Sequence, residues 1–283
     1  MITIRDAREL RRQVALWRSE GRTVGFVPTM GALHEGHLSL VRLARERTDR
    51  VVASVFVNPT QFGPNEDFNR YPRQPEKDGA MLEPAGCDLL FLPDVDTVYP
   101  PGHATFVEPG GAAEGLEGAF RPGHFRGVAT VVCGLFNLVQ ADVAVFGKKD
   151  AQQLAVIRQL VRDLHFPVEI VAGDTVREED GLALSSRNAY LSPEERRAAG
   201  GLHRALRAAE QAIAAGERRG DEVRRVMREV LDSEPLARTE YAEVVEAATF
   251  RPADTLRGSL VLPLAVRVGG TRLIDNFQLV AGD

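Results

Sequence analysis

The stretch 23–41, TVGFVPTMGALHEGHLSLV, constrains this chain more than any other. TVGFVP is short, apolar and β-branched, and Pro28 closes it because proline cannot donate to a sheet ladder, so it reads as a strand. TMGALHEG carries two glycines, as a backbone needs where it approaches a ligand closely. From His37 the apolar positions Leu40, Val41 and Ala44 recur at helical spacing. His34 and His37 therefore sit three residues apart at a helix N-terminus. Unsatisfied amides and the positive end of the helix dipole favour phosphate there. Two imidazoles can add donors as negative charge builds on phosphate oxygens. By itself, such a pair also suits an exposed helix face or half of a metal site.

The surrounding chain is large enough to support a built site. It has 283 residues, 44% hydrophobic and 27% charged, which allows one large domain or two. A net charge of −5 argues against a nucleic-acid binder held by bulk electrostatics. Cys87 and Cys133 are the only cysteines. With a charged opening, MITIRDARELRRQ, and no long apolar run, they read as free thiols in a reducing cytoplasm. No membrane span is expected.

Residues 6–19 step apolar positions by three and four, at Ala7, Leu10, Val14 and Trp17, and read as a helix. RVVASVFVNP (50–59) is an almost wholly apolar second strand, as a parallel strand buried on both faces would be. A helix follows near 74–83, then a strand over 87–94, and residues 95–126 read as irregular. A buried helix is expected over 128–140, strands over 141–147 and 166–174, and a helix over 148–164. This alternation predicts an α/β fold, a doubly wound, Rossmann-like parallel sheet spanning 1–175. Ligands in such sheets bind beyond the carboxyl ends of the strands. Ser192, Pro193 and Glu195 open a further helix with a capping box. One more helix and antiparallel strands complete a smaller C-terminal α+β domain, 176–283, expected to close over the site.

Three other stretches carry chemistry. NPTQF places the neutral amides of Asn58 and Gln61 after the second strand, where they can bind a carboxylate without locking it in an ion pair. FGKKDAQQ puts Gly147, Lys148, Lys149 and Asp150 at the end of another strand; Asp150 suits either a helix cap or a magnesium ligand, and the cap needs no ligand at all. LALSSRN offers the hydroxyls of Ser185 and Ser186 and the planar fork of Arg187, a phosphate clamp in kind and a polar turn on its face.

HxGH after a strand and a T-M-G turn is the adenylyl-transfer signature of the class I synthetase and nucleotidylyltransferase superfamily. PTMGALHEGHLSLV, FVNPTQF, GKKDAQQ and LALSSRN, in this order, resemble the pantothenate synthetase (pantoate–β-alanine ligase) family. The resemblance implies ATP as co-substrate with Mg²⁺, pantoate and β-alanine as the other substrates, a pantoyl-adenylate intermediate, release of AMP and pyrophosphate, and a homodimer. It implies His37 as proton donor, with His34, Lys149 and Arg187 as the other catalytic groups. Met30, Gly31, Ala32, Leu33, His34, Glu35, Gly36, His37, Gly147, Lys148, Lys149, Asp150, Val176, Leu184, Ser185, Ser186 and Arg187 match the nucleotide site. Asn58, Gln61, Tyr71 and Gln153 match the substrate pocket. Glu117, Arg121, His124 and Arg126 lie nearby with looser assignments. Lys148 stands where the family usually has glutamate, and Leu184 where it commonly has methionine. Two other readings remain: a nucleotidylyltransferase that leaves AMP in its product, and an ATP-sensing module without turnover.

Overall fold

The computed structural model describes residues 1–64 and 66–282. They divide into two units: Met1–Lys148 with Val156–Asp174, and Lys149–Ala155 with the chain from Thr175 on. The expected division into 1–175 and 176–283 differs from this one at Thr175 and at the segment Lys149–Ala155.

In the first unit β1 (Ile2–Ile4), β2 (Val24–Thr29), β3 (Arg50–Val55), β4 (Leu89–Phe91), β5 (Val143–Gly147) and β6 (Glu169–Gly173) build a six-stranded sheet. Its order is β1-β4-β3-β2-β5-β6, and every pairing is parallel. The connections are helical: α1 (Ala7–Ser19), α2 (Glu35–Arg47), α3 (Pro75–Leu82), α4 (Val95–Val98), α5 (Leu116–Phe120), α6 (His124–Val139) and α7 (Ala151–Asp163), the last beginning in the segment grouped with the second unit. The alternation of β2 serves both faces. Phe26 meets Phe136 of α6 edge to face, at a centroid distance of 6.5 Å, whereas Val27 joins Leu40, Val41 and Ala44 of α2. Chain order reverses between β2 and β5, so the carboxyl ends of these two strands flank the topological switch point.

The second unit packs α8 (Pro193–Ala214) and α9 (Gly220–Asp232) on an antiparallel sheet of β7 (Ala237–Ala242), β8 (Val245–Glu246), β9 (Gly258–Val268) and β10 (Thr271–Ala281). Leu202, Leu206, Met227, Leu231, Leu262 and Leu264 are in its core. Ser192 and Glu195 form the capping box of α8, with Pro193 at its first position.

Several boundaries differ from the sequence reading. The three residues of β1 give too short a run to show alternation, and the reading took them as part of a charged opening. The strand expected over 50–59 stops at Val55, because Asn58 caps a 3-10 turn at Pro59–Gln61. The strand of 87–94 contracts to Leu89–Phe91. α6 starts at His124, just after Gly123 in the left-handed region (φ 82°). The irregular stretch holds the short helices α4 and α5 and a 3-10 turn at Gly111–Ala113. Residues Lys148–Asp150 are a 3-10 turn ahead of α7 rather than its first turn.

α6 and the Pro59–Gln61 turn approach so closely that a Cβ on Gly127 would lie 2.3 Å from the Thr60 carbonyl oxygen and 2.7 Å from Gln61 Cα. Alanine in a helix gains at most about 1 kcal/mol over glycine, while a clash with backbone in a packed core costs ~1–3 kcal/mol or more. Gly127→Ala is expected to be net destabilising by roughly 1–3 kcal/mol. Denaturant unfolding followed by Trp17, the one tryptophan of the sequence and a buried residue of the first unit, measures this; an unchanged midpoint would contradict it.

Candidate active site

The turn after β2 uses its own amides. Gly31 and Ala32 both have positive φ, 81° and 51°. Gly31 N–H donates to Thr29 Oγ1 at 3.2 Å, Ala32 N–H to Asp78 Oδ2 at 3.1 Å and Leu33 N–H to Asp78 Oδ1 at 2.9 Å. His34 is the N-cap of α2, with extended backbone (φ −142°, ψ 176°). Its N–H donates to His37 Nδ1 at 3.3 Å. An amide can only donate, so His37 Nδ1 accepts and the proton of the neutral ring sits on Nε2. The two rings lie 4.1 Å apart, centroid to centroid, tilted by 44°. Both are half-buried, next to the first-turn amides of Glu35 and Gly36. The Glu35 carboxylate instead pairs with Arg42 along the exposed face of α2.

Three of the four substrate candidates, Asn58, Gln61 and Tyr71, follow β3; Gln153 belongs to α7. Asn58 and Gln61 are buried, 1% and 8% exposed. Asn58 Nδ2 donates to Gln61 Oε1 at 3.0 Å and to the Gly127 carbonyl at 3.2 Å. Gln61 Nε2 reaches the Met30 sulfur at 3.2 Å, which joins this loop to the turn after β2. Tyr71 is buried, its ring 5.9 Å from that of Phe62. Tyr99, which the sequence did not single out, donates its hydroxyl to Asn58 Oδ1 at 2.8 Å, and burial raises its pKa.

Behind Gln61 stands a charged brace. Arg121 forms a two-pronged pair with Glu66, 2.7 Å on each arm. Burial alone would raise the Glu66 pKa, but the hydrogen bonds and charge of Arg121 hold it below the usual range. Arg121 Nη1 also lies 3.1 Å from His124 Nε2, and His124 Nδ1 lies 3.0 Å from the Gln61 carbonyl oxygen. A guanidinium cannot accept, so the His124 proton sits on Nδ1 and is donated to Gln61. Burial, with Arg121 beside it, pushes the imidazole down to about 4. Glu117 is buried, 3.5 Å from Arg121. Arg126 turns away, its guanidinium 3.8 Å from the Phe106 ring centroid.

At the end of β5, a Cβ on Gly147 would meet only Leu40, at 3.9 Å, so the protein itself leaves room there. Lys148 pairs with the exposed Asp174 at 2.5 Å. In the second unit Asn276 of β10 donates to the Lys149 carbonyl at 2.8 Å. Asp150 ends the 3-10 turn, and Gln153 is half-buried in the first turn of α7. Leu184 N–H donates to the Val176 carbonyl at 3.0 Å. Ser185 caps the 3-10 turn Ser186–Tyr190, accepting Arg187 N–H on its hydroxyl. Arg177 anchors this loop through a fork onto Asp275, at 2.6 and 2.9 Å.

A parallel sheet with a histidine pair at its switch point and two buried side-chain amides after the next strand is the arrangement that the resemblance to the ATP-dependent, acid-activating enzymes of the HxGH adenylyl-transfer class implies. Residues 2–278 match the profile of the family described as pantoate-beta-alanine ligase. The chain belongs to that family, whose members are amide-forming ligases. A pantothenate synthetase of Roseiflexus sp. (strain RS-1) is 58% identical over 259 residues, covering 92% of this chain and 93% of the relative. One from Moorella thermoacetica is 55% identical over 274 residues, 97% of each. The crystal structure of pantothenate synthetase from Thermus thermophilus superposes with a TM-score of 0.93 at 51% identity, covering 98% and 99% of the two chains. The pantoate-beta-alanine ligase of Francisella tularensis, complexed with beta-gamma ATP and beta-alanine, gives 0.79 at 34% identity, covering 98% and 97%.

The His124 brace has a pH signature. Between the ordinary histidine value of 6.5 and about 4, the unfolded chain binds a proton that the folded chain refuses. Stability therefore falls as pH drops through that window, by up to about 1.4 kcal/mol per pH unit from this group. His124→Gln should flatten the curve between pH 6.5 and 4 relative to the parent, read by denaturant unfolding with Trp17 fluorescence. Parallel curves would remove His124 as the source.

Proposed function

We propose that these residues carry out the ATP-dependent condensation of (R)-pantoate with β-alanine, in two steps. First, a pantoate carboxylate oxygen attacks the α-phosphorus of ATP. The bond to the bridging oxygen breaks, pyrophosphate leaves, and pantoyl adenylate remains. Second, the β-alanine amine attacks the acyl carbon, the carbon–oxygen bond breaks, AMP leaves and the nitrogen gives up a proton. The product is pantothenate.

The observation that carries this reading is the His34 N–H bond to His37 Nδ1, which leaves Nε2 as the nitrogen of His37 that carries the proton and can donate it. A neutral donor held in place before reaction is suited to phosphate oxygens whose charge grows in the transition state. His34 adds a second imidazole beside it. Lys149 and Arg187 supply positive charge to the triphosphate, and Ser185 and Ser186 supply hydroxyls. Met30, Gly31, Gly36 and Gly147 give the nucleotide close backbone, with Glu35, Val176 and Leu184 as main-chain contacts. Ala32 and Leu33 commit their amides to Asp78, so they serve through carbonyl and apolar surface. Lys148, paired with Asp174, acts at most as distant positive charge. Asn58, Gln61, Tyr71 and Gln153 hold pantoate, its carboxylate left free of any ion pair and thus nucleophilic.

Mg²⁺ would ride on the triphosphate and offset its charge; Asp150, beside Lys149, is the carboxylate that could meet it, and it suits a helix cap equally. The active species is a homodimer, measurable by light scattering. Two unpaired cysteines, Cys87 buried with its thiol pushed up to about 11, suit a cytoplasmic enzyme. Among the described residues no helix is long and apolar enough to cross a membrane.

Product analysis tests the scheme. AMP and pyrophosphate should form only with pantoate present, and free AMP in stoichiometric amount only with β-alanine as well. ADP formation would refute it, and AMP retained in a dinucleotide would favour nucleotidyl transfer. His37→Ala should lower kcat ~10²–10³-fold, the usual loss on removing one transition-state donor; a near-normal rate would take His37 out of the chemistry.

A further inference from the structure

The least explained group near the histidines is Asp78. It is wholly buried, 0% exposed, in the first half of α3. Its donors are three neutral amides: those of Ala32 at 3.1 Å and Leu33 at 2.9 Å, and the Gln74 side chain at 3.5 Å. A buried carboxylate held by amides alone is costly and needs a compensating role. The backbone it grips is unusual. Successive left-handed residues, Gly31 and Ala32, turn neighbouring N–H groups inward to form a concave nest of the kind that binds anions. Ala32 holds a left-handed conformation that alanine avoids. The nest is closed on the carboxylate: a Cβ on Gly31 would lie 2.8 Å from Asp78 Oδ2 and 2.9 Å from Val55 Cγ1.

We infer that Asp78 is a positioning residue for the reaction: its carboxylate fills the nest at 31–33 as an internal anion and thereby sets where His34 and His37 present their rings. The second of its bonds falls on Leu33, the residue before the N-cap of α2. The direction in which the chain enters the helix follows from it. The inference rests on the adenylation reading above. It goes further by assigning a role to a residue 45 positions from the amide it anchors.

The test is Asp78→Asn, which keeps size and replaces one acceptor by an NH₂ group facing a backbone N–H. Pantoate-dependent pyrophosphate release is measured with saturating ATP, and rates are divided by the folded fraction from Trp17 unfolding. The expected result is a kcat loss of about 10²-fold, the scale of a misplaced catalytic group. The KM for pantoate should stay within about two-fold, because Asn58 and Gln61 sit on a different loop. Gly31→Ala, which pushes the turn off an intact Asp78, should give the same split and stands in if Asp78→Asn does not fold. A kcat per folded enzyme within two-fold of the parent in either variant overturns the inference, as does a pantoate KM that rises as much as kcat falls. If the unmodified chain releases no pyrophosphate with pantoate, the adenylation reading itself has failed, which is a separate outcome.

Discussion

The chain leaves β2 at Thr29 and has to reverse onto the sheet before α2 begins at Glu35. Such a short return needs left-handed backbone and leaves successive amides pointing the same way. The protein satisfies them from within: a threonine hydroxyl takes Gly31, one carboxylate takes Ala32 and Leu33, and an imidazole takes His34. The last of these bonds matters most for chemistry, since it settles which nitrogen of His37 keeps a proton. The first turn of the helix then carries the amides of Glu35 and Gly36 beside two imidazoles. In the proposed reaction this corner meets the triphosphate through neutral donors, which leaves the attacking carboxylate out of any ion pair with it.

The neighbouring loop follows a different logic. Asn58 and Gln61 are neutral and buried, and they bind each other and the sulfur of Met30. The charges that stiffen them are kept one layer back, where Arg121 is matched by Glu66 and passes a hydrogen bond through His124 to the Gln61 backbone. If pantoate sits here as proposed, full charge close to its carboxylate would bind it well and blunt its nucleophilicity. Removing the ion pair to the rear keeps the pocket polar and weakly charged, with its geometry still held.

Much of this was legible in the sequence because the signals were local. The strand, turn and histidine pair were read from adjacent residues, and so were the apolar stripe of α2 and the capping box of α8. The pair Asn58 and Gln61 was visible for the same reason. What escaped was set by partners far along the chain. Asp78 lies in QPEKDGAML, where an acidic residue early in a helix needs only the helix dipole to explain it. β1 is three residues long and exists because β4 offers an edge to pair with. Ala32 and Leu33 match the nucleotide site by resemblance, and only the folded position of Asp78 reveals their amides as engaged. Lys148 raised a question by replacing the usual glutamate, and the answer, a pairing with Asp174 across the ends of β5 and β6, is again non-local. One faint clue was present in LIDNF, where two polar residues interrupt an apolar strand: Asp275 and Asn276 are those that hold Arg177 and the Lys149 carbonyl.

That last bond links positions 127 residues apart. Chains emerge from the ribosome N-terminus first, and early segments settle before late ones exist. A protein still being made would carry its lysine long before the strand that steadies it. The Lys149 backbone is consequently left without this bond until β10 has been made, and a product terminated ahead of that strand would lack the anchor altogether.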